Sequence, residues 1–192
     1  MQELEEKIRS EGRVLEGDVL KVDYFLNHRI DVELAGKIGK EFHRLFSDEP
    51  VDKILTVEAS GIAYAVTTAQ QFGNLPVVFA KKSRAKNLSE DCYTASAVSF
   101  TRGGPVTFCV AKEYLSKGER VLIIDDFLAN GEAMCALIDI AHQAGAVVAG
   151  CGAVIEKSFQ PGRRRIEELG VRICSLARIR SMTPQGIAFD EE

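Results

Sequence analysis

Val121-Leu122-Ile123-Ile124 is an unbroken apolar run that ends on two adjacent carboxylates, Asp125-Asp126. A strand with no polar face must be covered on both sides, which is the situation of a parallel sheet between helices rather than of a half-solvated antiparallel sheet. Runs of the same kind occur at Lys53–Val57, Pro76–Ala80, Val147–Ile155 and about Val171–Leu176. Between them lie stretches with helical spacing. Residues 31–47 carry Leu34, Ile38, Phe42 and Leu45 on one stripe, with Asp31 placed as N-cap. Ile62–Phe72 ends at Gly73, Glu132–Gln143 carries Met134, Leu137, Ile138 and Ala141, and a last short helix covers about Arg164–Leu169. Buried strands alternating with amphipathic helices predict an α/β fold with a central, mainly parallel sheet flanked by helices.

In open sheets of this kind, ligands collect at the carboxyl ends of the strands. The polar residues just past each strand are therefore the candidates for function: Glu58–Gly61, Lys81-Lys82, Asp125–Gly131 and Glu156-Lys157. Residues 83–95 are polar and without period. Two alternating segments, Ser96–Phe100 and Val106–Val110, flank Arg102-Gly103-Gly104-Pro105 and predict a β-hairpin.

Composition removes several function classes. The 192 residues are 46% hydrophobic and 27% charged, as expected of one globular domain with a substantial core. Twenty-four Lys and Arg against 28 Asp and Glu leave a net charge of -4, the wrong sign for a protein that neutralises nucleic-acid phosphates. No segment approaches the roughly 20 apolar residues that span a bilayer, and the acidic N-terminus does not read as a signal or transit peptide. The five cysteines are widely spaced and none forms a C-x-x-C pair; with three His there is no zinc-ligand spacing. Reduced cysteines and a cytoplasmic enzyme, with neither nucleic acid nor membrane as partner, are the expectation.

The string Val121–Ala133 carries the chemistry. A strand delivers Asp125 and Asp126, a loop of small residues follows, and a helix begins. Backbone N–H groups at Ala129, Asn130, Gly131, Glu132 and Ala133 can form an anion nest at the helix N-terminus, suited to a phosphate without a cationic side chain. The paired acids beside it can accept hydrogen bonds from sugar hydroxyls. A nest for phosphate next to acids for a diol describes a phosphorylated ribose.

That string resembles the 5-phosphoribosyl-1-diphosphate (PRPP) motif of the type I phosphoribosyltransferases, in which two acids and two variable residues precede Ala-Thr-Gly-Gly-Thr. This chain departs from it at Asn130, Glu132 and Ala133. Backbone donors survive those changes, but Glu132 has to point away from the phosphate. The resemblance continues at Leu20-Lys21-Val22-Asp23, Phe25-Leu26-Asn27-His28, Glu58–Ala63 and Val154–Gly162, and over nearly the whole length it is to the bacterial purine-salvage members that take xanthine.

The resemblance implies transfer of the phosphoribosyl group of PRPP to xanthine, giving xanthosine 5′-monophosphate and diphosphate, with Mg²⁺ carried mainly by PRPP and no dedicated protein metal site. It implies that residues 129–133 hold the 5′-phosphate, that Asp125 and Asp126 contact the ribose, and that Ala59, Ser60 and Gly61 form a diphosphate loop with Lys81 near it. Leu20, Asn27 and Lys157 would bind the purine, with the Asn27 amide donating to the xanthine 2-oxygen. It further implies a homodimer, a hood from about residues 1–30 plus the C-terminal segment, and a lid at about 83–105, all within one domain covering 1–192. Plainer readings exist for single residues: Ser60 as a helix N-cap, Lys157 as a solvated strand end, Leu20 as packing, Phe159 as a core aromatic as readily as a stacking one.

Two rival functions share the fold. One is a guanine or hypoxanthine phosphoribosyltransferase. The other is a PRPP-sensing transcriptional regulator, which would be expected to carry a basic module. Here Lys7, Arg9, Arg13, Lys21 and Arg29 are opposed by Glu3, Glu5, Glu6, Glu11, Glu16, Asp18 and Asp23, and Arg163-Arg164-Arg165 reads as a solvated helix start. Tyr24-Phe25-Leu26 and Ile187-Ala188-Phe189 are apolar residues that need cover.

Overall fold

A computed structural model of the chain describes residues 1–83, 91–99 and 104–190. It begins with helix α1 (Gln2–Glu11), a short hairpin of β1 (Arg13–Leu15) and β2 (Val19–Lys21), and a single π-helical turn, Asp23–Asn27. The alternating part follows: α2 (Val32–Leu45), β3 (Lys53–Val57), α3 (Gly61–Gln71) and β4 (Val77–Ser83). An antiparallel pair, β5 (Cys92–Ser99) and β6 (Gly104–Ala111), leads to β7 (Arg120–Leu128), α4 (Glu132–Gln143) and β8 (Val147–Lys157). The chain closes with α5 (Gly162–Glu168), β9 (Ile173–Thr183) and β10 (Gly186–Phe189).

Among the described residues the main sheet has the order β10-β9-β8-β7-β3-β4-β6-β5. Strands β9, β8, β7, β3 and β4 run parallel, and the flanking β10, β6 and β5 are antiparallel to their neighbours. The unbroken apolar runs split by parity, as pleating requires. Ile54, Leu122 and Ile124 face one core with Leu4 and Ile8 of α1, Ile38 and Phe42 of α2, and Tyr64 of α3. Leu55, Val121 and Ile123 face the other, under Met134, Leu137 and Ile138 of α4 and Ile166 of α5. Each such buried side chain removes enough apolar surface to stabilise the fold by about 1.5–3 kcal/mol before entropy is counted. Packing leaves no slack at Gly152, where a Cβ would stand 2.7 Å from both Phe42 and Ile124.

The connections matter for function. From β3 the chain moves through α3 to β4, on one side; from β7 it moves through α4 to β8, on the other side. The strand order reverses between β3 and β7, with α3 and α4 on opposite faces, and in open sheets of this kind ligands bind at the carboxyl ends beside such a switch point.

Several elements differ from the sequence reading. β7 runs on through Asp125 and Asp126 to Leu128, held by pairing with β8 as far as Leu128 opposite Glu156. β4 likewise includes Lys81 and Lys82, because β6 adds to its end antiparallel. β5 starts at Cys92, inside the stretch expected to be loop, and the hairpin is longer than its alternating core suggested. The middle of the expected lid, residues 84–90, and the hairpin turn, 100–103, lie outside the described residues. Helix α1 gave little signal because only Leu4 and Ile8 of it are buried. Phe25, Leu26 and Phe189 find their cover within the chain, leaving Tyr24 exposed.

Candidate active site

Asp125 is 4% exposed and receives a hydrogen bond from the Asp126 amide at 2.9 Å on its Oδ1. Burial, then the neighbouring Asp126 charge, push its pKa well above the usual carboxylate range, while Lys82 pulls the other way. Asp126 points to the other side of the strand and is half-exposed. The first residue of α3 sits directly on this acid. A Cβ at Gly61 would collide with the Thr56 hydroxyl and stand 3.0 Å from Asp125 Oδ1, so only glycine brings the loop after β3 against the end of β7.

Beyond the acids the chain turns through Ala129 and Asn130 to Gly131, whose φ of 80° favours glycine. Gly131 also lies so close to Gly162 that a Cβ would meet its Cα at 3.0 Å. The turn is pinned from the α5 side: the Gly162 amide donates to the Ala129 carbonyl at 3.0 Å, and Arg165 Nη1 donates to the Asn130 carbonyl at 2.7 Å. Arg165 also pairs with the carboxylate of Glu132. The free N–H groups of the first turn of α4 face out from this loop with the positive end of the helix dipole.

On the β3 side, the peptide bond between Glu58 and Ala59 is cis, and Glu58 Oε1 accepts from the Lys82 amide at 2.6 Å. Ser60 stands at the N-cap of α3, as the plainer reading has it, but its side chain makes no capping bond. Register separates the two lysines. Leu55 pairs with Ile123 and Val57 with Ala80, so Asp125, Val57, Ala80 and Lys82 share one face of the sheet while Lys81 takes the other. Both lysines are exposed.

The residues expected to meet a base come from three separate places. Leu20, on β2, is buried at 6% exposure. Asn27 ends the π turn, and its Oδ1 is buried without a hydrogen-bond partner among the described residues. Tyr64 links this turn to the acids: its hydroxyl donates to the Leu26 carbonyl at 2.6 Å, and burial, then the charge of Asp126, raise its pKa. Lys157, at the end of β8, donates to the Asp18 carbonyl in the β1–β2 turn at 2.7 Å and lies 5.9 Å from the Phe127 ring. Desolvation lowers its pKa, so it is no ordinary solvated strand end. Phe159 is 43% exposed rather than in the core.

Sequence reasoning missed the role of the arginine run. Only Arg164 is solvated, at 83% side-chain exposure. Arg163 grips the buried Glu156 with Nε at 2.8 Å and Nη2 at 2.6 Å, and Arg165 holds the loop described above. The available signal was Glu156, a carboxylate at the end of an apolar strand that needs a cation if buried. Among the described residues no group of three or more His, Cys, Asp or Glu side chains could hold a metal ion. No helix among them is long and apolar enough to cross a membrane.

A family model described as the phosphoribosyl transferase domain matches residues 22–177. A xanthine phosphoribosyltransferase of Brevibacillus brevis is 52% identical over 192 residues, covering 100% of this chain and 97% of that protein. Xanthine phosphoribosyltransferase 1 of Clostridium perfringens is 52% identical over 189 residues, covering 98% and 100%. Among solved structures, adenine phosphoribosyltransferase from Rhodothermus marinus superposes with a TM-score of 0.74 at 21% identity, covering 93% of this chain and all of that one, a likeness of fold.

Proposed function

The chain belongs to the phosphoribosyltransferase family, and from that premise we propose that it transfers the 5-phosphoribosyl group of PRPP to xanthine, releasing diphosphate and forming xanthosine 5′-monophosphate in purine salvage. Full-length likeness to enzymes named for xanthine carries this reading. The site supplies its chemistry. Loop 129–133 and the α4 N-terminus receive the 5′-phosphate through backbone N–H groups, and Asp125 and Asp126 accept from the ribose hydroxyls. Breaking the C1–diphosphate bond leaves an oxocarbenium-like sugar, which the carboxylates favour electrostatically. The Ala59-Ser60-Gly61 loop receives the diphosphate, with Lys81 and Lys82 at the neighbouring strand end. Mg²⁺ enters as part of the substrate, bound to diphosphate oxygens, in keeping with its preference for phosphate and water.

Leu20 packs on the purine, and the Asn27 amide reads the edge around C2, its N–H donating to the 2-oxygen. Lys157 donates to a purine oxygen from a desolvated position. Segment 83–105 closes over the bound substrate as a lid, the first 30 residues with the C-terminal strands form a hood, and the whole chain acts as one domain. We place the enzyme in the cytoplasm as a homodimer; its five cysteines, none of them in a disulfide, suit a reducing compartment. The packing of Leu4 and Ile8 into the core speaks against α1 as a separate DNA-binding module. The test is a panel of purines with PRPP and Mg²⁺, followed by diphosphate release. Xanthine should exceed guanine and hypoxanthine clearly. Guanine in the lead would reassign the substrate, and no turnover with any purine would favour a PRPP sensor.

A further inference from the structure

Where the family motif has glycine, this chain places Glu132 in the first turn of α4, against the loop assigned to a phosphate. A carboxylate there opposes a bound anion unless something removes its charge and direction. Arg165, from α5, meets both needs. It pairs with the Glu132 carboxylate and donates to the Asn130 carbonyl at 2.7 Å.

The second contact has a consequence for the backbone. In a trans peptide the C=O and the following N–H point in opposite directions. Holding the Asn130 carbonyl toward α5 therefore turns the Gly131 N–H away from α5. The bond from the Gly162 amide to the Ala129 carbonyl, 3.0 Å, does the same for the Asn130 N–H. Among the described residues neither of these two N–H groups donates to a backbone carbonyl. The close fit of Gly131 on Gly162 keeps the two segments in this register.

We propose that Arg165 is a positioning residue for the 5′-phosphate: it neutralises Glu132 and aims the N–H groups of Asn130 and Gly131 into the phosphate loop. This rests on the assignment of loop 129–133 to PRPP, so it deepens that reading. Arg165 touches no reacting atom, and its effect falls on PRPP affinity more than on the chemical step.

The experiment compares steady-state kinetics of the full-length wild type, Arg165→Met, and the double variant Arg165→Met/Glu132→Gln, with PRPP and xanthine varied separately. Arg165→Met should raise KM for PRPP about tenfold, as expected of one uncompensated like charge near a phosphate in a surface dielectric. The KM for xanthine should move less than twofold, and kcat less than KM for PRPP. Removing the orphaned charge with Glu132→Gln should recover the part of the loss that is due to charge, the remainder being the share of the lost hold on the Asn130 carbonyl. An unchanged KM for PRPP in Arg165→Met overturns the proposal. So does a rise that Glu132→Gln fails to rescue, since that is the mark of general loosening. Should Arg165→Met not fold, Arg165→Gln, which also removes the charge and the long reach to the Asn130 carbonyl, answers the same question. A wild type inactive with PRPP and every purine would instead remove the functional reading on which the proposal stands.

Discussion

The two halves of the proposed site are built by different means. The phosphoribosyl half is one uninterrupted piece of chain, β7 through its turn into α4, and most of what it offers is backbone N–H plus the two acids. The purine half gathers Leu20, Asn27 and Lys157 from a hairpin, a π turn and the end of β8, and it offers side chains. Backbone donors recognise what every substrate of such an enzyme shares, a phosphate, and they tolerate sequence change, which is why Asn130, Glu132 and Ala133 can stand where the family motif has other residues. Side chains recognise what differs between one base and another. Substitutions in the first half should therefore change rate and PRPP use without changing base choice, and those in the second should do the reverse.

The largest effect expected is in the first half. Asp126→Asn removes a carboxylate from beside the sugar and should lower kcat by about 10²–10³, the usual cost of losing one well-placed electrostatic group. The ratio of kcat/KM for xanthine to that for guanine should stay within about twofold. A large shift in that ratio would mean that the acids also help to choose the base, and the division would be broken.

The link between the halves is β8 and α5, and its strongest feature is Glu156, 1% exposed and paired with Arg163 and Arg178. Glu156→Gln takes the buried carboxylate from Arg163 and Arg178, whose remaining ion partners among the described residues are the more exposed Glu167 and Asp190, and should destabilise the fold by about 2–3 kcal/mol. Urea unfolding of the variant measures this. A loss under about 0.5 kcal/mol would show that β8 positions Lys157 without the ion pair.

How legible each half was follows from the same division. The phosphate half could be read from the sequence because its parts are contiguous: Val121–Ile124 declares a buried strand, Gly131 the turn, and Met134, Leu137 and Ile138 the helix stripe. The sheet was legible for a similar reason, since each apolar run is local. Asn27 and Lys157 carried no local signal and came only from likeness to a family. Arg165 was misread as solvent-facing, because its partners, Asn130 and Glu132, lie more than thirty residues earlier in the chain. The continuation of β7 and β4 past their apolar runs was hidden too, because it depends on pairing with β8 and β6 and not on hydrophobicity.

In the second half, Asn27→Asp should abolish the preference for xanthine over guanine, a swing of about 10–50-fold, within the range of single pocket contacts. The KM for PRPP should hardly move. If the xanthine-to-guanine ratio survives the substitution, Asn27 does not read the base. A smaller effect separates the two lysines of β4. Lys82 shares the face of Asp125 and acts on its charge, whereas Lys81 lies across the sheet. Lys82→Met should reduce kcat/KM for PRPP about tenfold and Lys81→Met about twofold, by the reach of a charge in a surface dielectric. The opposite order would return the diphosphate contact to Lys81.

The smallest effect is a stability difference, and it tests why the phosphate half is costly to keep. Asp125 is buried and its pKa in the folded chain lies well above its ordinary value of 3.8, chiefly through desolvation. A raised folded pKa means that the folded state holds a proton the unfolded chain gives up, so this group's contribution is fully present below about pH 3.8 and is lost as pH rises toward the folded pKa. Asp125→Asn cannot titrate. The Tm of the variant minus that of the wild type, both without substrate, should therefore grow as pH rises above about 4 and level off beyond the folded pKa, reaching about 2–4 °C for a chain of this size. Activity should fall in the same variant, because the carboxyl that burdens the empty fold is the one proposed to hold the ribose hydroxyls. A gap that is already flat, or narrows, as pH rises from about 4 would mean that Asp125 carries no desolvation cost in the free protein, and the first half would then be as cheap to build as the second.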